Sequence, residues 1–373
     1  MSHFARIIWI AGAFAACTNS SPSSGDAGTG NDAGPDAGTD GGTDGSGHDY
    51  DVPFTSGTST VAGGPDAGWV DGPRKQAQFS NPVNVAYRDG RLYVADFDNN
   101  KVRVIDLATY ETSTLIDQPG FQRPFGLAFA ADGTLYVSTD NDENGRHSSM
   151  TGAIWRIPPG SRTATLIVSG IGRPRGLAVL QDGRLAAADY VHHVVELVDP
   201  STGVVSPLAG AWDVSGMTNA RGTQARFAAP YGIAARSDGA LVVADYDNHA
   251  LRLVTLDGTA TTLAGTGVRG FRDGDRAAAM FQRPQAVAIA ANGDIFVADS
   301  DNFRIRRIVG ATVQTIAGDG TAGYRDSDDP LHSQLYGLEG LTVMPDGSMV
   351  YVADGSRGED VPFHRVRQVA KHW

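Results

Sequence analysis

From residue 79 to the end of the chain, short apolar runs alternate with polar turns in one order, six times over. Each unit begins with a short apolar run and breaks at Asp-Gly or Asn-Gly. It resumes as a second run that ends in an acidic turn, and then continues into further apolar runs. YGIAARSDGALVVADYDNHALRL (231–253) shows the order clearly. Runs of this length, bounded by turn residues, predict strands rather than helices. The dipeptides are Asp89-Gly90, Asp132-Gly133, Asp182-Gly183, Asp238-Gly239, Asn292-Gly293 and Asp346-Gly347. They tolerate positive φ and predict a hairpin in every unit. A proline, which cannot donate to a sheet ladder, stands where each first strand begins. These prolines are Pro82, Pro124, Pro174, Pro230 and Pro284, with Leu338 in the sixth place.

Four antiparallel strands per unit, repeated six times, predict an all-β fold, a six-bladed β-propeller. The sixth unit runs out after a third strand, HRVRQVAKHW, whereas TSTVAGG (58–64) matches the fourth-strand pattern TTLAGTG. Residues 58–63 are therefore expected to complete the last blade, so that no sheet edge is left free. Residues 57–373 then form one domain.

The units resemble NHL repeats, whose pattern runs Pro-x-Gly-apolar-Ala-apolar, then Asp-Gly, then apolar-Val-Ala-Asp-x-x-Asn-His-x-apolar-Arg. YGIAARSDGALVVADYDNHALRL is the copy that fits best. The connectors AGGPDAGWVDGPRKQAQF, AGTGVRGFRDGDRAAAMF and AGDGTAGYRDSDDPLHSQL resemble those of the family as well. The resemblance covers about 85% of the chain. It implies the propeller fold and leaves function open, since one fold carries many roles. Members of the family include sensor domains, protein- and RNA-binding modules, and amidating lyases.

Charge divides the remainder. The chain carries a net −12, yet residues 18–56 hold seven aspartates and no Lys or Arg. More than half of the net charge thus lies in a Gly/Asp-rich stretch that cannot bury a core, and a disordered linker over 18–56 is expected. Before it, Arg6 precedes the apolar run IIWIAGAFAA and Cys17, the only cysteine. The run is too short to span a bilayer and suits a signal peptide over 1–17. FAAC resembles a bacterial lipobox, which implies lipidation of Cys17 and an exported protein at the outer membrane or cell surface. An ordinary secretory signal, with a periplasmic or secreted product, is the alternative. An acidic chain argues against nucleic acid as a partner.

In a propeller, residues beside the first-strand prolines ring one mouth of the central channel. Arg123, Arg173, Arg175 and Arg283 are expected there with Phe125, Tyr231, Gln285 and Glu339. Arginine forks suit carboxylate or phosphate, although pairing with neighbouring aspartates is the competing expectation. The strand-ending Asp96, Asp189, Asp245, Asp299 and Asp354, with Asp140 as the second unit's counterpart, are expected to cap the following turn. Four residues beyond them lies a column holding Asn100, Gly152, His193, His249, Phe303 and His364. Three histidines on one face suit zinc, and the amidating lyases also use histidines around zinc. In DNDENGRHSSMT (140–151), Asp140, Asp142 and Asn144 fit calcium-loop positions, but Thr151 replaces the bidentate glutamate. Zinc and calcium are thus the candidate cofactors. No nucleophile motif is present. The expected function is a monomeric binding or scaffold module for a protein or small anionic ligand, touching membrane only through its anchor. The alternative is a metal-dependent lyase or hydrolase at the channel mouth.

Overall fold

A computed structural model describes residues 56–370. The signal segment, Cys17 and residues 18–55 lie outside the described residues. Six antiparallel sheets of four or five strands follow one another, and they are numbered here as blades 1 to 6. Their inner strands are Pro82–Arg88, Pro124–Phe129, Pro174–Val179, Pro230–Ala235, Pro284–Ile289 and Leu338–Val343. Every expected proline, and Leu338, opens an inner strand. Blade 4 continues outward through Leu241–Asp245, Ala250–Val254 and Thr259–Ala264.

The ring closes as expected. Gly57–Gly64 pairs antiparallel with His364–Ala370, from Gly57 opposite Ala370 to Gly64 opposite His364. A strand from the front of the domain therefore supplies the outer edge of blade 6.

Apolar side chains pack between neighbouring blades. Ala186, Val195 and Leu197 of blade 3 share a core with Phe227, Leu241 and Val243 of the blade 4 unit. Both faces of each sheet are covered, so the second strands read as unbroken apolar runs rather than as alternation. The inner strands also approach closely. A Cβ on Gly232 would stand 2.5 Å from the Gln285 carbonyl oxygen of the next blade, so glycine is required by contact there.

The strand-ending aspartates do more than cap a turn. Asp96, Asp245, Asp299 and Asp354 bind Arg103, Arg252, Arg306 and Arg367 at 2.6–2.9 Å, all of them buried. Each pair ties the end of the second strand to the third. The Oδ1 atoms of Asp96, Asp245 and Asp299 accept from Ser80, Ala228 and Gln282, two residues ahead of the prolines. Burial pushes these three carboxyls up to about 6, which leaves them ionised at neutral pH. The expected turn-capping is seen at Asp189, whose Oδ1 accepts from Val191 and His192. In the second blade the counterpart differs from expectation. Thr139, not Asp140, pairs with Pro124, the register that Asp245 holds with Pro230. One extra residue of offset releases Asp140 from the structural column and turns it to another use.

Candidate functional site

Two rings of side chains meet at the proline end of the channel. The first follows the prolines: Val83, Phe125, Arg175, Tyr231, Gln285 and Glu339. The second follows the partners of those prolines on the adjacent strand: Phe97, Asp140, Tyr190, Tyr246, Ser300 and Gly355. The second ring escaped sequence reasoning. Its signal was the position one residue beyond the aspartate column.

Arg175 organises both rings. Its guanidinium lies 4.0 Å from the Phe125 ring centroid and 5.7 Å from those of Phe97, Tyr190 and Tyr231. Such contacts hold a cation without a second carboxylate. Its Nη2 donates to Asp140 Oδ2 at 2.7 Å, and Arg173 binds the same oxygen. The rings touch in sequence: Phe97 with Phe125, Phe125 with Tyr231, Tyr190 and Tyr246 each with Tyr231. Across the axis, burial raises the Glu339 carboxyl, while Arg175, Arg357 and a hydrogen bond from Gln285 oppose the rise.

Of the two expectations for the arginines, pairing with neighbouring aspartates is the one these contacts match. Arg173 and Arg175 carry Asp140, and Arg283 lies 3.2 Å from Asp247 and 3.7 Å from Asp301. Arg123 rests over Phe97 at 5.5 Å, with the Asp98 charge near it. Unpaired, these cations would repel one another, so the blade junctions supply an acid beside them.

The mouth is also closed. Val83, Phe125, Tyr231 and Gln285 are 1–6% exposed, and the Arg175 side chain is 11% exposed. Farther along the same strands Tyr87, Phe129, Val179, Ala235 and Ile289 are half-buried. Behind the closed end lies a cavity of about 350 Å³ along the inner strands. Ala, Val, Leu and Ile line it together with Phe125 and Phe129, and its polar side chains are Asn84, Tyr87, Arg175, Tyr231, Gln285, Glu339 and Thr342. Water therefore reaches the channel from the hairpin face, opposite the expected mouth.

In the histidine column, each ring Nδ1 is spent on a backbone donor. His193 Nδ1 accepts the Ala229 N–H at 3.0 Å, His249 Nδ1 that of Arg283 at 3.2 Å, and His364 Nδ1 that of Asn81 at 3.1 Å. Asn100 Oδ1 takes the Arg123 N–H in the same way. Each side chain staples its blade to the start of the next. Among the described residues, no three His, Cys, Asp or Glu are grouped to hold a metal. The column also adopts left-handed φ: Asn100 57°, His193 61°, His249 52° and Phe303 51°. Asn and His tolerate that region better than bulky apolar residues.

Phe303 and Gly152 now fit. Their recipient residues are Gly337 and Arg173, whose N–H groups are taken by Asp354 and Asp189 of their own blades. No donor is left to cap, and the column is free to carry Phe or Gly. Phe303 stacks on Tyr336 instead.

The side chains read as calcium ligands also have protein partners. Asp140 is committed to arginines. Asp142 Oδ1 accepts from the N–H groups of Asn144 and Arg146, while its Oδ2 binds the Arg146 side chain at 2.6 Å. Asn144 Nδ2 donates to Glu143. The loop caps itself, and its three oxygen-bearing side chains point to different partners.

Residues 281–308, the core of blade 5, match the family model described as NHL repeat. The chain is an NHL-repeat β-propeller. It is 29% identical over 314 residues to NHL repeat-containing protein 2 of Bos taurus, across 78% of this chain and 40% of that protein. It is 27% identical over 276 residues to Protein SUPPRESSOR OF QUENCHING 1, chloroplastic, of Arabidopsis thaliana, across 65% of this chain and 26% of that protein. The propeller thus spans less than half the length of these relatives. Among solved structures, an auxiliary nutrient binding protein from Bacteroides thetaiotaomicron superposes with a TM-score of 0.66 at 17% identity, over 83% of this chain and 75% of that one. At that identity the likeness is one of fold.

Proposed function

We propose that this NHL propeller is a binding module that takes a small ligand into its central channel from the hairpin face. One observation carries the reading. A cavity of about 350 Å³, enclosed by the six inner strands, ends on a cluster of buried charged and amide groups. Ligand sites are commonly concave, mostly apolar, and ~300–1,000 Å³, with a few polar groups fixing orientation. A capture role is in keeping with the name of the nutrient-binding neighbour. Export with a lipid on Cys17 is part of the same proposal, since a tether would hold the channel beside the membrane that delivers solutes. A Cys17→Ser variant tests it, by loss of radiolabelled lipid and release from the membrane fraction.

The channel is tested by a small-fragment screen using saturation-transfer NMR on the protein. Ala234→Phe fills the cavity wall. Hits on the native protein should vanish in this variant while its melting temperature stays close to native. Hits that persist unchanged would place binding outside the channel and refute the proposal.

A further inference from the structure

We propose that the closed end of the channel selects an uncharged head group that accepts one hydrogen bond and donates another, such as a carboxamide, carried on an apolar body. The inference rests on the channel being the binding site and names the chemistry that site prefers.

The first argument is electrostatic. The closed end holds Arg173 and Arg175 against Asp140, with Glu339 across the axis and Arg357 bound to Asp301 at 2.7 Å. Cations and acids are interleaved, so neither sign dominates. A carboxylate entering the cavity would approach Arg175 but also Glu339, and Asp140 already neutralises that arginine. An ammonium group would meet Arg175 at the same depth. Desolvating either ion costs more than a pre-paired cluster returns.

The second argument is an inventory of unmade hydrogen bonds. Gln285 and Arg175 both line the cavity end. Gln285 donates to Glu339, yet its Oε1 is buried without a partner. Arg175 Nε is likewise buried without a partner. The first is an acceptor that needs a donor, and the second a donor that needs an acceptor. Burying either unsatisfied is unfavourable. A carboxamide supplies an N–H and a C=O from one planar group. A carboxylate supplies only acceptors, and an ammonium only donors.

The third argument is shape. Below the polar end, the inner strands contribute mostly apolar side chains, among them Ala86, Ala128, Leu177, Ile233 and Val287, with Tyr87, Phe129 and Thr342 beside them. The apolar and aromatic side chains among them suit an aromatic ring or short alkyl chain.

Three probes with one body and different heads decide the matter: benzamide, benzoate and benzylamine. Each is titrated at pH 7 into the full chain and read by saturation-transfer NMR. Benzamide should bind at least tenfold more tightly than either ion, with binding lost in Ala234→Phe. Gln285→Leu should abolish the preference for benzamide. Gln285→Glu should move it toward benzylammonium. Melting temperatures near native would confirm that both variants are folded. Tighter binding of benzoate or benzylammonium, still lost in Ala234→Phe, would overturn the head-group inference and leave the channel as the site. Binding by none of the three would overturn the channel reading itself.

Discussion

Blade 3 breaks the buried Asp–Arg rule, and the break makes stability depend on pH. Glu196 occupies the third-strand position that Arg252 holds in blade 4, opposite Ala187 as Arg252 is opposite Val243. It is 7% exposed. The strand-ending Asp189 lies nearby, held by His192 Nδ1 at 2.6 Å, and His192 Nε2 faces Asp213 at 3.9 Å. Burial first, and the Asp189 charge second, push the Glu196 carboxyl up to about 7. A carboxyl raised in the folded state takes up a proton on folding. Its stabilising effect is present below the unfolded value of 4.5 and is lost as pH rises through about 7. The rise corresponds to about 3 kcal/mol. Urea unfolding of native protein and Glu196→Gln, measured from pH 4 to pH 8, isolates this group because the other acids are common to both. The native protein should lose about 3 kcal/mol relative to the variant across that range. Parallel stability curves would refute the reasoning and show that Glu196 reaches water or a cation when folded.

Three further outcomes follow from the same geometry. Arg252→Met leaves Asp245 buried without its cation and should cost about 3–5 kcal/mol, read as a fall in the urea midpoint; an unchanged midpoint would mean that Asp245 is protonated. His193→Ala strands the Ala229 N–H and should cost about 1–3 kcal/mol, whereas His193→Asn should stay near native because Asn100 performs this task in blade 1; added chelator should move neither melting curve. Gly232→Ala drives a Cβ against the Gln285 carbonyl and the Ala286 Cα at 2.5 and 2.8 Å and should cost about 1–3 kcal/mol, seen as a lower melting temperature with the fold retained by circular dichroism.

The histidine column shows what spacing along one sequence leaves out. Three histidines at one repeat position read as ligands because spacing along the chain says nothing of distance between blades. In space they stand at different blade junctions, each satisfying one backbone donor. The arginines show the same limit. Their convergence on the proline end and their pairing with neighbouring aspartates were both expected from the repeat, but which acids serve, Asp140, Asp247 and Asp301, was not. Those acids arrive from turns whose reach depends on the following loop. Asp140 in particular looked like one more column member until strand register placed Thr139 opposite Pro124.

Local chemistry alone determined the strands, the hairpins, the number of blades and the closing strand. Proline, Asp-Gly and apolar run length act within a few residues, and the repeat multiplies them into a ring. Tertiary structure alone decided which end of the channel is open, which charges are spent on one another, and which buried donors and acceptors are left unmatched. Those depend on side chains converging from six blades, separated by dozens of residues along the chain and by a few ångströms around the axis.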